Sequence, residues 1–147
     1  MLVLLAPSLA ALVALAAPQA CPAWVDRLHP GGRFSVEGIA FEGRGGPLAH
    51  GDGLSELAAA LREAPWVHVR LEGFVDSSGD REGDVRLSAT MAREAAERLV
   101  ALGVGPARVS WSGRGGESPL LPNFTERARA ANRRVEVLIV PRPGTGT

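Results

Sequence analysis

Two carboxylates eight residues apart, Asp76 and Asp84, lie in the polar stretch Gly-Phe-Val-Asp-Ser-Ser-Gly-Asp-Arg-Glu-Gly-Asp (73–84), which joins an apolar run to a helical one. An aspartate at such a junction can hold a ligand ammonium or order the turn through its own side chain. It can also pair with a second carboxylate as acid and base in glycoside cleavage. Little else in the chain favours catalysis. No nucleophile stands beside a base, and His29, His50 and His68 show no ligand spacing such as HExxH, so neither a metal nor another cofactor is expected. Cys21 is the only cysteine, which excludes an intramolecular disulfide and a cysteine metal cluster. All 16 basic residues are arginine, so every one can make a forked contact with a carboxylate. Two Gly-Arg-Gly-Gly stretches, 43–46 and 113–116, lack the strand, Gly-Lys-Ser/Thr and helix of a phosphate loop and read as turns.

The elements that must position these groups fit one domain, the natural prior for 147 residues. Formal net charge is zero, so no long-range field draws nucleic acid or an anionic membrane. There is no Tyr and aromatics are only 5% of the chain, which disfavours a stacking platform for bases, and no nucleic-acid partner is expected. From Met1 to Val25 there is no charged side chain, and Leu2–Ala17 is apolar. That run is shorter than the roughly 20 residues that span a bilayer, which points to an export signal over residues 1–20. No Lys or Arg precedes it. Cleavage after Ala16 or Ala20 would release a soluble chain. Lipid on Cys21 would tether it, and an uncleaved signal anchor is the third alternative. Residues 21–33, punctuated by Pro and Gly, read as a linker.

In the body, Phe34–Phe41 reads as a strand weakened by Gly38, and Gly43–Gly53 as a loop. Leu54, Leu57, Ala58 and Leu61 recur at helical spacing, with Asp52 placed to cap and Pro65 as the stop. Val67, Val69 and Leu71 alternate with polar residues in a second strand, and 74–83 reads as a polar turn. From Asp84 to Leu102, the residues Leu87, Met91, Ala95, Leu99 and Leu102 share one arc of about 120°. Arg108–Ser112 is a short strand, Thr125–Ala131 a brief helix and Val135–Ile139 a last strand; 142–147 is a tail. The expected fold is α+β: two layers in the order β-α-β-α-β-β, a mixed sheet with helices on one face. The helical crossovers suit parallel pairing, and the last strand is placed antiparallel.

Three segments resemble the OmpA-like peptidoglycan-binding family over residues 34–141. They are Gly73-Phe-Val-Asp-Ser-Ser-Gly79; Leu87-Ser88, followed by Ala92 and Leu99; and Gly113–Pro119, continuing through Asn123-Phe124-Thr125 to Asn132-Arg133-Arg134-Val135-Glu136. The resemblance implies a non-catalytic, exported envelope protein on the periplasmic face. Such a protein would hold peptidoglycan, with envelope proteins as further partners, and link the wall to the outer membrane; its own membrane attachment would come only through a signal anchor or lipid on Cys21. Members grip the diaminopimelate side chain of the stem peptide, which ends as a zwitterion. An Asp takes the ammonium and an Arg the carboxylate. Asp76 matches that Asp. Glu42 stands where some members carry an acidic contact, and Leu87 matches a residue that packs on the ligand.

The family arginine, fifteen residues after the Asp, is Met91 here. By that alignment Met91 is counted with Asp76, Glu42, Leu87 and Arg133 among the ligand-binding residues, although it lies on the apolar arc, where packing is its ordinary role. Losing a bidentate carboxylate contact costs on the order of 2–5 kcal/mol, roughly thirty- to several-thousand-fold in affinity. Phe74 and Val75 replace a His-Thr pair, and Asp84 replaces an Asn. Arg81, Arg86 or Arg133 are the cations that could substitute, although the Arg133–Arg134 pair mostly supports structure in the family. The alternative function is a degenerate scaffold that keeps the fold and binds a protein partner instead of peptidoglycan.

Overall fold

The computed structural model describes residues 28–141. The readings of 1–20 as a signal, of Cys21 as a lipid site, of most of the linker and of the 142–147 tail lie outside the described residues. Elements follow as β1 (Arg33–Ser35), β2 (Ile39–Phe41), β3 (Leu48–Gly51), α1 (Asp52–Glu63), β4 (His68–Phe74), α2 (Arg81–Ala101), β5 (Val109–Gly113), α3 (Glu126–Asn132) and β6 (Arg134–Val140).

The main sheet has the order β1-β6-β4-β5. β4 and β5 are parallel, as the α2 crossover requires, and β6 runs antiparallel to both β4 and β1. β1 and β4 therefore point the same way without being neighbours, because β6 lies between them. Alternation sends Val69 and Leu71 of β4, with Val135, Val137 and Ile139 of β6, into the same core as Leu54, Leu57 and Leu61 of α1 and Met91, Ala95 and Leu99 of α2. The helix-free face carries charge instead. Arg33 bridges Glu72 and Glu136 at 2.6 and 2.8 Å, and Arg134 pairs Glu136 at 2.8 Å with its guanidinium 4.0 Å over the Phe74 ring.

Three local readings are corrected. The strand read over 34–41 is two strands broken at Val36–Gly38, and Leu48–Gly51, read as loop, pairs with β2 in an antiparallel hairpin. The α1 N-cap is Gly51 with no side-chain cap, and Asp52 lies one residue inside the helix. α2 begins at Arg81 and not at Asp84, because Asp80 caps it by accepting from the Gly83 N–H at 3.0 Å.

The approach of α2 to the sheet fixes where the loop after β4 emerges. A Cβ on Gly73 would lie 1.9 Å from the Ser88 carbonyl oxygen, and one on Gly113 would lie 2.3 Å from that of Val85. Only glycine at the ends of β4 and β5 lets the helix backbone lie this close. The Val75 N–H donates to Gly115 O at 3.0 Å and the Gly115 N–H to Ser88 Oγ at 2.8 Å, so the chain leaving β4 is pinned between α2 and the 113–116 turn.

Candidate functional site

Asp76 follows that pinned segment and is 6% exposed. Two guanidinium groups from distant parts of the chain reach its Oδ1: Arg133 Nη1 at 3.3 Å and Arg44 Nε at 3.4 Å. Among the described residues no hydrogen bond reaches Oδ2, so a nearly buried carboxylate keeps one acceptor oxygen uncommitted. Arg133 arrives from the start of β6, where it alternates with Arg134: one turns to Asp76, the other to the far face of the sheet. Arg44 arrives from the β2–β3 hairpin. Its Nη2 donates to the Asp76 carbonyl at 2.6 Å and to Asp84 Oδ1, so one side chain ties the loop after β4 to the first turn of α2.

Asp84 is 2% exposed and receives Ser78 N–H at 3.0 Å and Ser78 Oγ–H at 2.7 Å besides Arg44. Burial alone would raise its carboxyl. The Ser78 donors and the Arg44 guanidinium outweigh that and hold it below the ordinary Asp value. Glu126, in the first turn of α3, is likewise held low by Arg133 and Arg129, at 2.5 and 2.9 Å. For Arg133, burial would lower the guanidinium, but Glu126 and Asp76 more than compensate and raise it. The connected cluster thus sets Asp76, Asp84 and Glu126 against Arg44, Arg133 and Arg129. Its three carboxylates and three guanidinium groups sum to zero charge.

The residues named from the sequence fare differently. Asp76 and Arg133 meet. Leu87 is half-buried under the hairpin, where a Cβ on Gly45 would lie 3.0 Å from its Cδ2. Glu42 is exposed, closes the hairpin turn through its backbone, and has no hydrogen bond on its carboxylate among the described residues. Met91 is 0% exposed in the core. A side chain with no accessible surface touches no solute, so Met91 is removed from the ligand set. Arg81 and Arg86 are spent on Glu117 and Glu82 at the surface. Asp76 and Asp84 do not face each other as an acid–base pair, since Arg44 stands between them. Asn132, 0% exposed, fixes its turn: Oδ1 accepts from the Leu120 and Leu121 N–H groups, and Nδ2 donates to Leu121 O and Asn123 Oδ1.

Arg44 is the residue that sequence reasoning missed. It lies 32 and 40 residues before its two acids, inside a Gly-rich turn with no periodicity. The one available signal was a lone cation flanked by Gly43 and Gly45, both at positive φ (59° and 78°), where a loop can bring its backbone against a helix. No cluster of His, Cys, Asp and Glu among the described residues could hold a metal ion.

Residues 48–133 match the OmpA family. The chain is 35% identical to the peptidoglycan-binding protein ArfA of Mycobacterium tuberculosis, over 65% of this chain and 32% of that protein, so it spans about a third of that relative's length. Its fold is similar to the periplasmic domain of Helicobacter pylori MotB, with a TM-score of 0.62 and 22% identity over 77% of this chain and 76% of that one. It is also similar to the peptidoglycan-associated lipoprotein from Burkholderia pseudomallei, with a TM-score of 0.54 and 28% identity over 60% of this chain and 74% of that one.

Proposed function

The chain belongs to the OmpA family, and from that premise we propose that it is a non-catalytic envelope protein that holds peptidoglycan through the cluster around Asp76. The carrying observation is the nearly buried Asp76 carboxylate, with Oδ2 uncommitted and two guanidinium groups converging on it. A diaminopimelate side chain ends in one ammonium and one carboxylate. A neutral site with an open acceptor beside cations is the electrostatic complement of such a ligand. The name of ArfA, a peptidoglycan-binding protein, agrees with this reading.

Export of the chain, its location on the periplasmic side and a link from wall to outer membrane belong to the same proposal. Lipid on Cys21 would supply the link, and mass spectrometry of the mature N-terminus distinguishes a lipidated Cys21 from cleavage after Ala16 or Ala20. The test of binding is co-sedimentation of the full chain with purified sacculi. The wild type is expected in the pellet and Asp76→Ala in the supernatant; equal pelleting of the two, or of neither, counts against the site. A second reading, a scaffold for a protein partner, draws on Leu120, Leu121 and Phe124, which are 58%, 46% and 90% exposed on a loop that Asn132 holds in place. It requires that the wild type stay out of the pellet.

A further inference from the structure

Met91 occupies the helical position where a cation was expected, yet the cluster is not short of cations, and the two that reach Asp76 are not equivalent. Arg133 is 16% exposed, is shared with Glu126 and is rooted at the start of a central strand. Arg44 is 30% exposed, at the tip of a hairpin. A guanidinium has five N–H donors. Arg44 directs Nη2 to Asp76 O and Asp84 Oδ1 and Nε toward Asp76 Oδ1, which leaves the two on Nη1 without a partner among the described residues.

Asp84 is the reason this cation stays in place. It is almost fully buried, is fixed by two donors from Ser78, and among the described residues contacts no cation other than Arg44. Its carboxylate offsets the charge of Arg44, so that Asp76 need not be consumed in doing so. Gly45, at a positive φ of 78°, lets the hairpin lie against Leu87 on α2, where a Cβ at position 45 would sit tightly at 3.0 Å from Leu87 Cδ2. Hairpin, helix and loop thus deliver one guanidinium, anchored through Nε and Nη2 and without a partner on Nη1 among the described residues, against the Asp76 carboxylate at Oδ1.

We propose that Arg44 is the specificity-determining residue of this site: its Nη1 end takes the carboxylate of a zwitterionic ligand terminus whose ammonium sits on Asp76, and Asp84 is its positioning residue. This rests on the wall-peptide reading above and assigns it a cation from a different element, a hairpin in place of helix α2.

Calorimetric titration of the full chain with two probes tests it: the tripeptide L-Ala-γ-D-Glu-meso-diaminopimelate, and the same tripeptide with L-Lys third, which keeps the ammonium and lacks the carboxylate. The wild type should prefer the diaminopimelate peptide by at least about thirty-fold. Arg44→Ala should lose most of that preference by weakening the diaminopimelate peptide alone. Arg44→Lys retains the charge without the fork and guards against a folding failure; it should keep an intermediate preference. Asp84→Asn should lower the preference less than Arg44→Ala, and Arg133→Ala, which removes a cation from Asp76, should weaken the two peptides to the same degree. Equal weakening of both probes by Arg44→Ala, in a variant with native circular dichroism, would assign Arg44 a structural role and overturn the proposal. So would a preference that survives Arg44→Ala or that depends on Arg133 instead. Asp76→Ala separates the two readings: if it leaves both affinities intact, the wall-peptide site itself is wrong, whatever Arg44 does.

Discussion

At the scale of single residues, charge in this site is held by geometry that acid should undo. The Asp84 carboxyl lies below its ordinary value in the folded chain. A group depressed in this way contributes stability above its unfolded value, about pH 3.9, and that contribution is lost as pH falls through the folded value. Asp84→Asn should therefore be less stable than the wild type at pH 7, and the gap should narrow below about pH 4. Urea midpoints at pH 7 and pH 3 measure both; a gap that persists at pH 3 would show that the Asp84 charge is not what holds the loop. Met91 gives the converse lesson. Its place on the apolar arc correctly forecast burial, while its alignment with a family cation wrongly put it among the ligand contacts. In the fold both facts have one cause, since a helix position facing the core between Leu87 and Ala95 is closed to solvent.

Among the elements, α1, β4, α2 and β6 were legible because each buries one face and so carries its period in the sequence. The β2–β3 hairpin was not. Its strands are short, it forms a separate two-stranded sheet, and its turn is glycine, arginine and proline with no alternation. Arg44 was invisible for the same reason: what gives it meaning is contact with residues 32 and 40 positions later. The close seating of α2 on the sheet makes a sharper claim. Gly73→Ala would drive a Cβ to within 1.9 Å of the Ser88 carbonyl, so the helix must shift. Destabilisation of about 1–3 kcal/mol is expected from overpacking of this kind. The urea midpoint should fall, with weakened wall binding alongside because Asp76 follows three residues later. A midpoint within error of the wild type would mean that α2 does not seat as described. Asn132→Ala makes a parallel case at the other loop, leaving the Leu120 and Leu121 N–H groups and Leu121 O without their partner, at a cost of about 1–3 kcal/mol.

For the whole molecule, the described residues form a family domain in which the loop after β4, the β2–β3 hairpin and the start of β6 meet at Asp76, and no described helix is long and apolar enough to cross a membrane. The cluster balances its charges, and Arg44 and Arg133 bring to Asp76 the cations that α2, with Met91 in its core, does not supply. The most direct test is a crystal structure of the full chain with L-Ala-γ-D-Glu-meso-diaminopimelate. The side-chain ammonium should lie about 2.7–2.9 Å from Asp76 Oδ2, the length of a charge-assisted hydrogen bond. A tripeptide bound elsewhere, or an Asp76 carboxylate left untouched at saturating tripeptide, would contradict the account.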